Sequence, residues 1–233
     1  MMKAMILSAG YGKRLLPLTS NCPKPLLKIN NETLLSNTIK FLIQCGVKQV
    51  VINVHYLAEQ ISDYIKKNKF DLKITISEEK ERILDTGGGI LNTIKYFSNE
   101  PFLVINPDTI WSNDYVQEFQ LMKKFFFEKK QKCSLLIVNK KKSFDKKLKG
   151  DFNIKDNFLT KENKNNLEFI FTGLQIINPK VFSNPKDKIF SINKIWNKLI
   201  DNFELSGFES NLNFNHVSTT NIYKDLLQNL NIK

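Results

Sequence analysis

The strongest constraint on this chain is the alternation of short apolar runs with amphipathic helical stretches through its first 138 residues. Residues 3–7, 49–54, 72–77, 102–105 and 132–138 are short and apolar or alternating, as strands are. Residues 34–45, 57–65, 90–97 and 115–130 place apolar side chains at helical spacing, and the first of these ends at Gly46, a helix-stopping residue. Strands separated by helices need crossover connections, which are right-handed. The pattern therefore predicts an α/β fold, a Rossmann-like, mostly parallel sheet flanked by helices. In such sheets ligands bind outside the carboxyl ends of the strands. The loops 8–25 and 106–109 both follow predicted strands, so they are expected to open on one edge.

The second half is less regular. Residues 150–159 and 167–177 read as strands around a polar turn rich in Asn and Lys. Residues 192–202 read as a helix, 212–217 as a strand and 219–230 as a terminal helix. The lysine-rich stretch 139–149 reads as an exposed connector. No internal repeat is visible, and no hexapeptide pattern of the β-helix type. A length of 233 residues suits a single domain.

Charge decides less than its size suggests. Lys and Arg number 35 against 23 Asp and Glu, a net charge of +12. That admits a nucleic acid, a membrane surface or a phosphorylated substrate. The lysines are spread along the chain, with clusters at 123–149, and no basic stretch is interleaved with aromatics. Neither a nucleic-acid nor a membrane partner is therefore expected. Cys22, Cys45 and Cys133 are odd in number and form no CxxC pair, which speaks against a disulfide framework or zinc site and fits a reducing cytoplasm. No apolar run approaches the roughly 20 residues that span a bilayer. Met5-Ile6-Leu7 is too short for the core of a signal peptide.

The chemistry concentrates after the first strand, in Leu7-Ser8-Ala9-Gly10-Tyr11-Gly12-Lys13-Arg14. Glycines let backbone amides approach a phosphate, and basic side chains add charge-assisted bonds. A dinucleotide fingerprint would need glycine where Leu15 stands, and a P-loop glycine where Leu7 stands. As a bare pattern, Gly-x-Gly-x-Arg also fits an ordinary strand-to-helix turn. Pro23-Lys24-Pro25-Leu26 follows on the same predicted edge. Two prolines stiffen the backbone around one lysine and present Lys24 as a second phosphate ligand.

Residues 5–19, Met-Ile-Leu-Ser-Ala-Gly-Tyr-Gly-Lys-Arg-Leu-Leu-Pro-Leu-Thr, followed by Pro23-Lys24-Pro25-Leu26, resemble the sugar-1-phosphate nucleotidyltransferase family. Asp85-Thr86-Gly87-Gly88-Gly89-Ile90 is similar to that family's nucleotide-base loop. Asn106-Pro107-Asp108 stands where the family has a metal-binding aspartate, and Phe171-Thr172-Gly173-Leu174 resembles a sugar-side segment. In these details the chain looks most like bacterial N-acetylmuramate-1-phosphate uridylyltransferases, with mannose-1-phosphate guanylyltransferase-like proteins close by. The resemblance implies the nucleotide-diphospho-sugar transferase fold, with 1–138 as the nucleotide half and 139–233 as the sugar half and C-terminal helix. It implies Mg²⁺ as cofactor, a nucleoside triphosphate (UTP, with GTP as the alternative) and a sugar 1-phosphate as substrates, and a monomer or homodimer.

Roles follow from the same resemblance. Arg14, Lys24 and Asp108 are the expected catalytic residues, with Asp108 on Mg²⁺. Leu7, Ser8, Ala9, Gly10, Gly12, Lys13, Asp85 and Gly88 are expected around the nucleotide. Asn53, Asn106, Gly150, Asp151, Thr172 and Gly173 are expected around the sugar. Several have plainer readings: Asp108 as a helix cap, Asn53 as a strand-end hydrogen bond, and Asp151 as an exposed turn. One departure stands out. Where the family ends a strand in Asp-Val-Gly-Thr, this chain has His216-Val217-Ser218-Thr219. Imidazole is a poorer Mg²⁺ ligand than carboxylate. Either His216 meets phosphate or metal in a changed way, or the site relies on Asp108 alone. A choline-phosphate cytidylyltransferase, and a nucleotide-binding regulatory homologue with weakened turnover, remain as alternatives.

Overall fold

The computed structural model describes residues 2–163, 165–183 and 187–230. The expected alternation becomes β1 (Ala4–Leu7), a two-residue ribbon of β2 (Lys28–Ile29) and β3 (Glu32–Thr33), α1 (Leu34–Gln44), β4 (Gln49–Val54), α2 (Ala58–Lys67), β5 (Lys73–Glu78), α3 (Asp85–Thr93), β6 (Phe102–Ile105), α4 (Asp114–Glu128) and β7 (Cys133–Asn139). β8 (Asn153–Lys155), β9 (Phe158–Thr160), β10 (Phe169–Ile177), α5 (Asn193–Asp201), β11 (Leu205–Ser210) and α6 (Thr220–Leu230) follow. α1 starts where Thr33 accepts a hydrogen bond from the Ser36 amide at 3.0 Å, and it stops before Gly46 at φ +81°.

Nine strands form one sheet in the order β5-β4-β1-β6-β10-β7-β11-β9-β8. β5, β4, β1 and β6 are parallel. β10 then runs antiparallel between β6 and β7, while β11 is parallel to β7. Side-chain alternation sorts the core into two layers. Ala4, Ile6, Ile52, Leu103, Ile105 and Leu136 pack with Leu35, Ile39 and Leu42 of α1 and with Tyr115, Phe119 and Met122 of α4. Met5, Val51, Phe102, Val104 and Leu135 face the other side, against Ile90 of α3 and Trp196 and Leu199 of α5. With helices on both faces, the central strands are buried on both sides, which is why they read as continuous apolar runs. Among the described residues no helix is long and apolar enough to cross a membrane.

Four expectations need correction. The helix expected over 90–97 begins at Asp85, taking in all three glycines, and ends in a 3₁₀ turn at Ile94–Tyr96. The strand expected over 150–159 is a hairpin, because Asp156 and Asn157 take φ of 50° and 67° and fold β9 back on β8. The strand expected over 212–217 makes only isolated bridges, Phe214 to Ser143 and His216 to Thr109. Its backbone serves loops instead: Ile110 N donates to Asn215 O, and Val217 N to Asp108 O, both at 2.9 Å. β11 was not expected at all. The connector 139–149 is not wholly exposed either, since Ser143 and Asp145 are buried.

Phe102 at the start of β6 stacks on Phe97 with ring centroids 3.9 Å apart and planes 3° from parallel. Both rings are fully enclosed. Phe102→Ala is expected to cost about 3–5 kcal/mol of stability. Chemical denaturation would show this as a lowered midpoint at an unchanged slope.

Candidate functional site

At the carboxyl end of β1 the chain leaves the sheet as a loop held in place by backbone geometry. Gly12 sits at φ +65°, and a Cβ there would meet Thr19 Cγ2 at 3.0 Å and Lys24 Cβ at 3.3 Å. Only glycine allows the 8–14 loop to lie this close to the 19–24 segment. Thr19 Oγ1 donates to Gly12 O at 3.0 Å and fastens the two together. Pro23 precedes a 3₁₀ turn over Lys24–Leu26, and Pro25 is buried within it. The turn aims Lys24 at the carboxyl end of β6.

There Lys24 Nζ donates to Asp108 Oδ2. His216 Nε2 lies 3.1 Å from the same oxygen, and all three side chains are only 14–16% exposed. Burial alone would push the Asp108 carboxyl up. The Lys24 and His216 charges and hydrogen bonds outweigh it, so the pKa falls well below the usual carboxylate range and the group stays ionised. The His216 ring stacks on Phe214 at 5.6 Å and 8°, which fixes its plane. Asp108 Oδ1 and His216 Nδ1 are buried without a hydrogen-bond partner among the described residues. A paired Oδ2 beside an unused, ionised Oδ1 leaves one hard oxygen for a cation.

A cleft of about 530 Å³ opens over this cluster. Of the residues expected at the site, Leu7, Ser8, Ala9, Gly10, Gly12, Lys13, Arg14, Lys24, Asn53, Asp85, Asn106 and Asp108 line it. The others lie elsewhere. Gly88 is buried in α3, where a Cβ would meet Lys188 O at 2.2 Å, so its smallness serves helix packing. Thr172 Oγ1 donates to Leu136 O at 2.8 Å inside the sheet. Gly173, at φ +95°, makes the irregularity in β10 that lets Asn106 N donate to Gly173 O at 2.8 Å. Gly150 packs on Leu167, and Asp151 Oδ2 accepts from Phe171 N at 2.9 Å. His216 reaches the cleft only through Asp108.

Reading the sequence missed Ile83 and Ser218 in the lining, and it gave no separate role to Tyr11 and Thr86 within the two expected loops. It also missed Glu79, which organises one wall from behind. Asn53 Oδ1 accepts from Ser8 N at 2.9 Å, and Asn53 Nδ2 donates to Glu79 Oε1 at 2.7 Å. Glu79 Oε2 accepts from Leu84 N at 2.7 Å. Both ends of the Asn53 amide are therefore engaged, tying the glycine loop to the start of α3. His55 extends the chain. Its Nδ1 lies 2.6 Å from the Glu79 carbonyl and must donate to it, and its Nε2 lies 3.2 Å from the Tyr11 hydroxyl. Glu79 stands in the charged run Glu78-Glu79-Lys80-Glu81-Arg82, which gives no signal of its burial. Asn53→Ala leaves the Ser8 amide and one Glu79 oxygen unpaired. It is expected to cost about 1–3 kcal/mol and to speed hydrogen exchange at Ser8, measured on the folded chain.

Comparison with known proteins agrees with this geometry. Residues 3–148 match the family described as "Nucleotidyl transferase". The chain is 26% identical over 201 residues to an N-acetylmuramate alpha-1-phosphate uridylyltransferase of Caulobacter vibrioides, covering 84% of this chain and 83% of that one. It is 32% identical over 198 residues to the mannose-1-phosphate guanylyltransferase catalytic subunit beta of Drosophila melanogaster, covering 82% of this chain and 52% of that one. The chain spans about half the length of several of the curated relatives it matches. The fold is that of the HddC crystal structure from Yersinia pseudotuberculosis complexed with GMP-PN, at a TM-score of 0.78 and 23% identity, with 99% of this chain and all of that one covered. The match over residues 3–148, more than half of the chain, places it in the nucleotidyl transferase family.

Proposed function

We propose that this chain transfers a nucleotidyl group from a nucleoside triphosphate to a sugar 1-phosphate, giving a nucleotide sugar and pyrophosphate. UTP with N-acetylmuramate 1-phosphate is the leading pair. The observation that carries the class is the Lys24–Asp108 pair on the cleft floor, beneath the glycine loop that ends in Lys13 and Arg14. The relative aligned over most of both chains supports the pair, being described as an N-acetylmuramate alpha-1-phosphate uridylyltransferase.

The chemistry asks little proton work of the protein. A sugar phosphate is already ionised at neutral pH, so its oxygen needs no general base. It attacks the α-phosphorus in line. A new P–O bond forms as the bond from the α-phosphorus to the α–β bridging oxygen breaks, and pyrophosphate leaves with the electron pair. Catalysis is then alignment and charge neutralisation. The 8–12 backbone, Lys13 and Arg14 hold the β- and γ-phosphates. Lys24 neutralises the α-phosphate, where charge grows. Asp85 and Thr86 stand at the nucleoside end of the cleft.

The residues present fit a Mg²⁺ ion. Asp108 supplies an ionised hard oxygen at Oδ1, and His216 is held on the other oxygen. Among the described residues no group of three His, Cys, Asp or Glu side chains could hold a metal. That suits an ion that keeps waters and takes further oxygens from substrate phosphates. When bound, Mg²⁺ would add charge neutralisation on the triphosphate.

Pyrophosphate release, measured for the four triphosphates against a panel of sugar 1-phosphates, tests the reading. The highest kcat/KM is expected for UTP with N-acetylmuramate 1-phosphate. Turnover confined to GTP and mannose 1-phosphate would move the substrates within the class, and triphosphate binding without release for any acceptor would overturn the class. Lys24→Met and Asp108→Asn are each expected to lower kcat about 10²–10³-fold. His216→Asp adds a second carboxylate beside Asp108. It should lower the Mg²⁺ concentration that gives half-maximal rate.

A further inference from the structure

The lysine-rich connector after β7 does not splay into solvent. Asn139 Oδ1 accepts from Lys141 N at 3.1 Å and caps a 3₁₀ turn over Lys140–Lys142. Ser143 Oγ donates to Asp145 O at 3.0 Å. The buried Asp145 accepts from Lys147 N at 3.0 Å and from Ser218 Oγ at 2.6 Å. Leu148 packs on the small cluster of Val138, Ile170 and Phe214. The connector's one acid therefore points inward, and three of its backbone atoms are held by side chains.

On the outer side, Lys140, Lys141, Lys146, Lys147 and Lys149 converge on a cavity of about 580 Å³, backed by Leu167. A Cβ at Gly150 would meet Leu167 O at 2.2 Å, so glycine is what lets the two walls close. Among the described residues no carboxylate side chain lines the cavity. Among the described residues none of the five lysines is in an ion pair. Lys140 Nζ donates to Leu167 O at 2.9 Å and Lys146 Nζ to Lys141 O at 3.0 Å. Each ammonium has three donors, so both keep donors to spare while being held in place. The cavity shares no lining residue with the catalytic cleft.

We propose that this cavity is a second anion site, which takes a small compound carrying two or more phosphate groups, inorganic or esterified. Converging like charges repel one another until a multivalent anion relieves them. Lysines suit phosphate as point charges, without the bidentate geometry that would call for arginine. The volume lies within the roughly 300–1,000 Å³ of small-ligand pockets. Among the described residues no aromatic ring lines the cavity, which gives a nucleobase no platform there. The ligand is recognised by its phosphates.

Lysine labelling with an amine-reactive acetylating reagent, read peptide by peptide by mass spectrometry, tests this on the wild-type chain. The probes are inorganic tripolyphosphate and a hexose bisphosphate in metal-free buffer, against sodium chloride of equal ionic strength. Lys146, Lys147 and Lys149 should lose label severalfold with at least one probe, while Lys66 and Lys67 on α2 keep theirs. Tripolyphosphate alone as protector would identify the inorganic source, and the bisphosphate an ester. A uniform fall across all lysines, or protection confined to Lys13 and Lys24, would overturn the site. Protection only by single-stranded DNA or by phosphatidylglycerol vesicles would overturn it as well. The double change Lys147→Glu with Lys149→Glu should abolish protection at Lys146 and leave nucleotidyl transfer unchanged. If that variant does not fold, the wild-type footprint still decides.

Discussion

A single carboxylate oxygen, Asp108 Oδ2, ties together three segments far apart in the chain. Lys24 comes from the loop after β1, Asp108 from the end of β6, and His216 from the segment that crosses back before α6. Burying the Lys24 or the Asp108 charge without its partner would be costly. The loops that carry them therefore stand or fall together. The backbone repeats the linkage, since Val217 N donates to Asp108 O and Thr109 bridges His216. The cluster uses up Oδ2 and leaves Oδ1 buried without a partner, so the interaction that closes the fold here also sets the charge at the cleft floor.

The change of strand direction in the sheet gives that floor its shape. β10 enters antiparallel between β6 and β7, and its irregularity at Gly173 brings a carbonyl to the Asn106 amide. A strand end that would otherwise need a partner is satisfied by a neighbour from the second half of the chain. Asn106, Pro107 and Asp108 can then sit as an ordered edge of the cleft. The cleft takes its lining mainly from residues before 109, yet Ser218 reaches it from the far end and is held by Asp145. One residue from late in the chain thus joins a lining drawn otherwise from its first 108 residues.

The first half was legible because its strands are buried on both faces and its helices on one, and both patterns are local. The glycine loop and Lys24 were legible for a related reason: glycine and proline fix backbone geometry by themselves. β11 was not. Leu205-Ser-Gly-Phe-Glu-Ser has little alternation, and its identity as a strand comes from pairing with β7 along six residues. Gly207 looks like a strand breaker, yet a Cβ there would meet Leu159 Cδ2 at 2.5 Å and Ile137 Cδ1 at 2.9 Å. The reason for it lies in other elements. The 212–217 segment misled in the opposite way. Phe214 and His216 alternate like strand residues, but what they face is a stacked pair and a carboxylate.

Glycines 87–89 show how one motif can serve two purposes through different residues. As sequence they suggest a surface for a flat base. In the fold each meets a different neighbour: Gly87 the Phe190 ring, Gly88 the Lys188 carbonyl, and Gly89 the Asn53 amide and the Glu79 carboxylate. None of the three lines the cleft, whereas Asp85 and Thr86 just ahead of them do. Thr86 Oγ1 accepts from Ile192 N at 2.9 Å, and Gly88 N donates to Phe190 O at 3.0 Å. The 188–192 segment therefore grips the first turn of α3 from behind. A larger residue at 87, 88 or 89 would push the helix start off that support, or off the Asn53–Glu79 pair that holds the glycine loop. The glycines shape the cleft indirectly. They let α3 come close enough that Asp85 and Thr86 share a wall with Ser8.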